Sequence, residues 1–391
     1  MDPTDSNRPL TIFISAAEAS GDEHASRLVA ALRRRLPQAR LVGIGGPKTA
    51  AAGCEVLLDV TEQSAMVGAV LTRLPYYMRL VKRLKQMVAE VRPDVLVPTD
   101  SPALNWHLCE AAKACGSKVF HYIAPQVWAW APWRVKRLRR LSDFVACILP
   151  FEERYLRDRG VRASYVGHPL FDTLTPPPEP MPDLVEAWSQ GAWRVALLPG
   201  SRPAELRHHS RALAETADAI RARWPAARCV LTARTELAAQ AIREHSGRSD
   251  LEIVVGRTRE TLAQSHFAVA VSGTVTLEVA NYGVPMLIVY RANRTLYRLI
   301  KPMFRTPYLS LVNILGGRCI VPELMPWSGS VRRLSGLTVE LMNDLGWLCE
   351  TRQALLDLTA TLRPPPGQTA SANAAELIAR LIADCGLRNA D

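Results

Sequence analysis

Short apolar runs alternate with longer amphipathic stretches along the whole chain. In the first half, "LTIFISA" (10–16), "LVGIG" (41–45), "DVLVPTD" (94–100), "KVFHYIA" (118–124) and "FVACILP" (144–150) have strand length. Their nearly continuous apolar character predicts strands buried on both faces. Stretches such as "SRLVAALRRRL" between them carry the spacing of helices with one buried face. After Asp172 comes "TLTPPPEPMP", whose prolines can join neither a helix nor a central strand. The alternation then restarts with "WRVALLPG" (193–200), "ARCVLTA" (227–233), "LEIVVG" (251–256), "FAVAVSG" (267–273) and "PMLIVYR" (285–291). Two such series predict an α/β protein built from two doubly wound, Rossmann-like parallel-sheet domains facing a central cleft. The expected boundaries are 1–172 for the first domain, 173–190 for a proline-rich linker and 191–365 for the second. The amphipathic tail "ASANAAELIARLIADC", within 366–391, is expected to pack back on the first domain. Ligands of such sheets bind beyond the carboxyl ends of the strands, so polar residues directly after strands carry the interest.

Composition adds a sign. The 391 residues, 48% apolar and 22% charged, suit two globular domains with full cores. Net charge is +11, and residues 1–172 hold 24 Lys+Arg against 17 Asp+Glu. A basic half attracts phosphate, whether on nucleic acid, anionic lipid or a nucleotide. The eight cysteines form no Cys-x-x-Cys pair, which argues for reduced thiols rather than a zinc site or a disulfide framework. No Asp or His cluster has metal-ligand spacing, no RNA-binding motif occurs, and the N-terminus lacks a signal-peptide pattern. No apolar run approaches the roughly 20 residues that span a bilayer. The expectation is a protein without a metal, a cofactor or a nucleic-acid partner, touching a membrane at most.

Four strand ends offer chemistry. "VALLPGSRPAEL" places Gly200, Ser201 and Arg202 between a strand and a helix, a turn suited to a diphosphate or simply to capping. "FAVAVSGTVTLEVA" supplies Ser272, Gly273 and Thr274, with Glu278 one helical turn further on. That carboxylate could accept ribose hydroxyls or merely complement the helix dipole. "ISAAEASGDEH" places Glu18, Ser20, Gly21 and Asp22 after the first strand. "DVLVPTDSPALN" ends a strand at Asp100, which reads equally as a general base or as a helix cap.

Two aromatic and basic stretches stand out. "VFHYIAPQVWAWAPWRVKRLRR" (119–140) runs from a strand through three tryptophans into five cations, as cleft wall or as core. Residues 66–91 interleave Val70, Leu71 and Leu74 with Arg73, Arg79, Lys82 and Arg83. This pattern suits an anionic lipid surface or a surface helix packed on its sheet.

Taken together these stretches resemble the lipid A disaccharide synthases, bacterial inverting glycosyltransferases of GT-B architecture. The likeness runs through "EASGD" (18–22), "HYIAPQVWAW" (121–130), "LPFEERY" (149–155), "VGHPLFD" (166–172), "LLPGSRPAEL" (197–206), "SGTVTLE" (272–278), "YLSLVNIL" (308–315) and "VPELM" (321–325). It implies transfer from a UDP-2,3-diacylglucosamine donor to the acceptor lipid X, 2,3-diacylglucosamine 1-phosphate. The implied products are a β-1,6 disaccharide and UDP, made at the cytoplasmic face of the bacterial inner membrane. It also implies Asp100 as catalytic base and Arg202 as essential. Gly200, Ser201, Ser272, Gly273, Thr274, Glu278 and Asn313 fall to the UDP-sugar. Glu18, Ser20, Gly21, Asp22, Tyr122 and Trp128 fall to the acceptor side of the cleft, and a homodimer is left open. The chain departs from the family pattern at Ala103, Gln126, Val312 and Pro326, which bears on acyl and sugar detail more than on reaction type. The alternatives are another UDP-sugar enzyme of this fold, either a UDP-N-acetylglucosamine 2-epimerase or a peptidoglycan-type N-acetylglucosaminyltransferase, and a non-catalytic basic protein binding membrane or RNA.

Overall fold

The computed structural model describes residues 8–60, 74–99, 101–129, 131–292, 297–298, 301–303, 305–365 and 367–386. The chain divides into two compact units, residues 1–173 with 362–391, and residues 174–361.

The first unit is built on seven parallel strands: β1 (Thr11–Ala16), β2 (Arg40–Gly45), β3 (Glu55–Asp59), β4 (Val95–Thr99), β5 (Lys118–Tyr122), β6 (Phe144–Cys147) and β7 (Ala163–Tyr165). Their order is β3-β2-β1-β4-β5-β6-β7. Alternation along β1 sends Ile12 and Ile14 to one face, under Leu28, Leu32, Ile378 and Ile382, and Phe13 to the other, against Leu84, Val88 and Leu108. The order reverses between β1 and β4, which end level, with Ala16 beside Thr99.

The second unit has six parallel strands: β8 (Arg194–Leu198), β9 (Arg228–Ala233), β10 (Ile253–Val255), β11 (Phe267–Val271), β12 (Met286–Arg291) and β13 (Glu323–Trp327). They run in the order β10-β9-β8-β11-β12-β13. Here the reversal falls between β8 and β11, where Leu198 stands beside Ala270. Each sheet therefore has one crevice of the kind that receives ligands in open parallel sheets.

One segment differs from the sequence expectation and one follows it. Only the proline stretch of 173–190 is free of regular structure. Asp183 accepts the N–H groups of Val185 (2.8 Å) and Glu186 (3.1 Å) and so starts the helix Leu184–Gln190. Leu184 and Ala187 of that helix are buried in the second core. The helix Ala370–Asp384 lies on the helix Ala19–Arg35, and Asp172 caps it by accepting from Ala370 N–H (2.8 Å) and from Ser371 N–H and hydroxyl. Asp172 thereby ties the end of the first pass through this unit to its return. Among the described residues, no helix is long and apolar enough to cross a membrane.

Candidate functional site

The turn after β8 is built around a carboxylate. Gly200 sits at φ +100°, and a Cβ there would lie 2.5 Å from Glu205 Oε2 and 2.6 Å from its Cβ, so only glycine fits. Glu205 occupies the third position of the helix Pro203–Arg223 and accepts the N–H of Ser201 (2.9 Å) and Arg202 (3.1 Å). The Arg202 side chain is 74% exposed and touches Glu205 at 3.2 Å. This corrects the expectation for Ser201: its N–H is already taken, so it is no free donor to a diphosphate. The anionic group of a ligand here would be met by the exposed fork of Arg202. Glu205 escaped the sequence reading, although proline at the first helical position and glutamate at the third is a capping signal. Gly200→Ala should cost at least about 1–2 kcal/mol from the left-handed backbone alone, and the collision with Glu205 should disorder the Arg202 turn. Chemical denaturation and UDP titration of the variant would register both.

Behind this turn, His209 is buried against Trp327, with ring centroids 6.0 Å apart. Its Nε2 accepts Arg291 N–H (2.9 Å), which leaves Nδ1 to donate to the carbonyl of Glu205 (2.8 Å). Burial, helped by nearby cations, holds its pKa below the ordinary histidine value. The ring is a neutral strut between the helix and the end of β12.

The turn after β11 presents Gly273 and Thr274 to solvent with Ser272 half-buried. Thr276 and Leu277 close it by donating N–H to the carbonyls of Gly273 (3.1 Å) and Thr274 (3.0 Å). Glu278 lies on the following helix Val275–Asn281, one-fifth exposed and 3.5 Å from the guanidinium of Arg259. Arg259, on the helix Thr258–Ala263, was not anticipated, because nothing in "GRTRETLA" links it to a carboxylate nineteen positions away. The Arg202 turn follows β8 and the Glu278 turn follows β11, so the two flank the crevice of this sheet.

Asn313 requires a correction. It is fully buried in the helix Leu311–Gly316, and every polar atom of its amide is engaged. Its Nδ2 donates to Val321 O (2.8 Å) and Glu323 Oε1 (2.8 Å), and its Oδ1 accepts Ile320 N–H (2.8 Å) and Val321 N–H (3.0 Å). Glu323 also accepts from Leu309 N–H and from the N–H and hydroxyl of Ser310. "YLSLVNIL" and "VPELM" are thus one knot, and Asn313 is a positioning residue rather than a contact to a nucleotide.

In the first unit, Asp22 is likewise structural. It is buried and accepts N–H from Gly46 (2.8 Å), Thr49 (3.0 Å) and Lys48 (3.1 Å), holding the loop after β2 and capping the short helix Pro47–Ala51. Gly21 beside it is buried, whereas Glu18 is half-buried and Ser20 exposed beyond β1. Asp100 lies outside the described residues. Its neighbours are fixed by Asn105, which accepts the Ser15 hydroxyl (2.6 Å) at the end of β1 and donates to Thr99 O (3.2 Å) at the end of β4. Ser101 and Ile123, following β4 and β5, and Ala131 all hold left-handed backbones at φ +34°, +69° and +52°. Such strain costs about 1–3 kcal/mol per residue and gathers at functional edges.

Tyr122 and Trp128 are core, not cleft wall. Tyr122 is fully buried on the face of β5 that carries Phe120, and burial, with Asp172 adding, pushes its hydroxyl far above the ordinary value. Trp128 packs edge-on against Phe151 and donates Nε1–H to Glu152 (2.7 Å). Glu152 also accepts Leu149 (3.0 Å) and Ile148 (3.1 Å) N–H, so "VWAW" and "LPFEERY" are pinned together. Burial raises the Glu152 carboxyl from the ordinary 4.5 to about 7 against the pull of these donors. A folded value above the unfolded one means that this contribution to stability is full below about pH 4.5 and fades as pH rises toward 7. Glu152→Gln would set its amide NH₂ against either the Trp128 indole N–H or the two backbone N–H groups, whichever way the amide turns. A loss of about 1–3 kcal/mol is expected in a denaturant titration.

The helix Leu74–Val91 buries Val81, Leu84 and Val88 against the sheet, while Arg79, Lys82 and Arg83 face solvent. Val70, Leu71 and Arg73 lie outside the described residues, as does the side chain of Leu74. Tyr76, Met78 (60%) and, on the 3₁₀ turn Pro132–Arg134, Trp133 (60%) are large apolar side chains left exposed. Among the described residues, no group of three or more His, Cys, Asp or Glu side chains has the geometry to hold a metal ion.

Solved structures share this architecture at low identity. A putative UDP-N-acetylglucosamine 2-epimerase from Listeria monocytogenes superposes with a TM-score of 0.58 at 13% identity, covering 98% of each chain. MurG from Acinetobacter baumannii gives 0.54 at 12%, covering 95% of this chain and 100% of its own. With two parallel sheets, each with its own crevice, the protein is of the GT-B class. The family model for lipid-A-disaccharide synthetase matches residues 12–351. The lipid-A-disaccharide synthase of Myxococcus xanthus is 36% identical over 385 residues, 96% of this chain and 98% of its own. That of Pseudomonas paraeruginosa is 34% identical over 383 residues, covering 95% and 98%. The chain belongs to the lipid-A-disaccharide synthase family and is a glycosyltransferase of lipid A biosynthesis.

Proposed function

We propose that the enzyme transfers a 2,3-diacylglucosaminyl group from UDP to the 6-hydroxyl of 2,3-diacylglucosamine 1-phosphate by one in-line displacement. Asp100 takes the hydroxyl proton as that oxygen attacks the anomeric carbon, and the bond to the UDP oxygen breaks with inversion. Arg202 meets the charge gathering on the departing diphosphate, which a forked cation does without reorganising its surroundings. Glu278, steadied by Arg259, receives the ribose hydroxyls, and the Ser272–Thr274 turn lines the nucleotide. Glu18 and Ser20 serve the acceptor side. Turnover on this reading needs no divalent ion, since Arg202 supplies the charge one would bring.

One observation carries the reading: in each unit, the proposed residues follow the two strands that flank the reversal of strand order. Arg202 and Glu278 do so around β8 and β11. In sequence, Glu18 and Asp100 follow β1 and β4. The acylated substrates place the enzyme at the inner face of the bacterial inner membrane, where the exposed Tyr76, Met78 and Trp133 with Arg79, Lys82 and Arg83 would sit against anionic lipid.

The test is UDP release. It should be rapid with UDP-2,3-diacylglucosamine plus the diacylated 1-phosphate, and absent with UDP-N-acetylglucosamine and N-acetylglucosamine acceptors. Equal release with the N-acetyl pair would refute the assignment.

A further inference from the structure

A cavity of about 440 Å³ opens in the second unit around the end of β13. Its walls include Trp327 and Pro326 from the strand, Arg298 and Lys301 from the segment after β12, and Arg333 from the helix Val331–Asn343. Neither the reaction scheme nor the Arg202 turn uses any of these cations.

Their charge is unbalanced. Some exposed arginines of this unit are matched, Arg211 with Glu215, Arg228 with Glu252, and Arg248 with Asp218 and Asp250, and others, such as Arg234 and Arg257, stand apart on open surface. The cavity is distinct in gathering three cations around one concavity. Arg298, Lys301 and Arg333 have no ion-pair partner among the described residues. The carboxylate on the wall, Glu323, is turned inward to Leu309, Ser310 and Asn313, as the knot above requires. Three like charges held around one concavity repel one another unless an anion joins them. A phosphate carries the charge and the acceptor oxygens to engage several cations at once.

The concavity has room for more than a bare ion, since pockets of about 300–1,000 Å³ hold small organic molecules. Exposed apolar surface follows two residues after Lys301. Met303 shares the 3₁₀ turn Lys301–Met303 with one of the cations and is among the few large apolar side chains left exposed. We propose that this cavity binds the phosphate of a phosphorylated lipid headgroup. Two sources share that chemistry: the 1-phosphate of the acceptor, which rests on the reaction proposed above, and the phosphate of a bilayer phospholipid, which does not. Trp327 also stacks on His209, whose Nδ1 bonds Glu205, so occupancy lies two contacts from the Arg202 turn.

The experiment uses the full chain and the double variant Lys301→Gln/Arg333→Gln, both positions being exposed. Three probes are titrated: UDP, glucosamine 1-phosphate beside unphosphorylated glucosamine, and phosphatidylglycerol vesicles beside phosphatidylcholine vesicles. UDP affinity should be unchanged, which also shows that the variant is folded. Affinity for glucosamine 1-phosphate or for phosphatidylglycerol vesicles should fall about tenfold or more, since the two substitutions each remove a charged hydrogen-bond donor. The probe that responds identifies the source. Equal affinity of wild type and variant for both phosphate probes overturns the proposal. So does a parallel loss of UDP binding, which would make the cavity part of the nucleotide site. If the disaccharide is never formed while the phosphate-dependent loss persists, the reaction reading fails and the cavity assignment stands on the phospholipid.

Discussion

Asp100→Asn is expected to lower turnover about 10²–10⁴-fold, the usual worth of a positioned general base, while UDP affinity stays at the wild-type level. Asparagine keeps the size and the capping capacity of aspartate but cannot take the proton of the attacking hydroxyl. The location argues for chemistry. Asp100 follows β4 in the chain, and β4 ends at Thr99 beside the end of β1, at the place where the strand order of the first sheet turns. The adjoining backbone is held by Asn105, whose amide bonds the ends of both strands. Ser101, next to Asp100 in sequence, keeps a left-handed backbone, uncommon for a residue other than glycine. Initial rates of UDP release and calorimetric titration with UDP separate base catalysis from binding. A variant that turns over at the wild-type rate would remove Asp100 from the mechanism. Arg202→Ala offers the contrast. Its guanidinium belongs to the leaving group, so about 10²–10³-fold in rate should be lost together with UDP affinity.

What the sequence shows and what it hides follow from burial. Interior strands such as β1, β4, β8 and β11 are covered on both faces, so nearly every residue is apolar and the run announces itself. The strands absent from the pattern are β3, β7 and β13, all at sheet edges and only partly buried. "EVLLD", "ASY" and "ELMPW" are short, polar or interrupted by proline, as edge strands tend to be. The same limit governs the site. Glycine and arginine after β8 are legible because a turn and a forked cation have local signatures. The occupation of Ser201 N–H by Glu205 and of the whole Asn313 amide by β13 is a matter of partners, which spacing along the chain does not encode. Tyr122 and Trp128 show the converse: a motif adjoining a strand end suggested a ligand wall, whereas Tyr122 is closed in under the helix Ala370–Asp384 and Trp128 is pinned to Glu152. Asp22, Asp172, Glu152, Glu205 and Glu323 each gather two or more backbone N–H groups. Several of the acidic residues in the recognisable motifs therefore build the strand-end loops rather than touch substrate.

Asn313→Ala tests that distinction where its consequence is greatest. Removing the amide deletes four hydrogen bonds at a fully buried place. Val321 N–H loses its side-chain acceptor, while Ile320 N–H keeps the carbonyl of Arg318, Val321 O keeps the Cys319 thiol and Glu323 keeps Ser310. Each hydrogen bond lost is worth about 0.5–1.5 kcal/mol, and a buried group left unsatisfied adds about 1–3 kcal/mol. A loss on the order of 3–5 kcal/mol is expected, near the upper end for single substitutions. For a unit of this size that corresponds to a fall in unfolding temperature of roughly 10 °C. Activity should fall with it, because the turn 309–313 and β13 lose their common anchor. Asn313→Asp keeps the acceptor but sets a second carboxylate 2.8 Å from Glu323, so its unfolding temperature should recover as pH is lowered and the pair takes up a proton. A residue that merely touched the nucleotide would behave otherwise. Its alanine variant would lose UDP affinity at an unchanged unfolding temperature, and the aspartate variant would show no acid rescue of stability. Differential scanning fluorimetry across pH, run beside UDP titration, decides between the two.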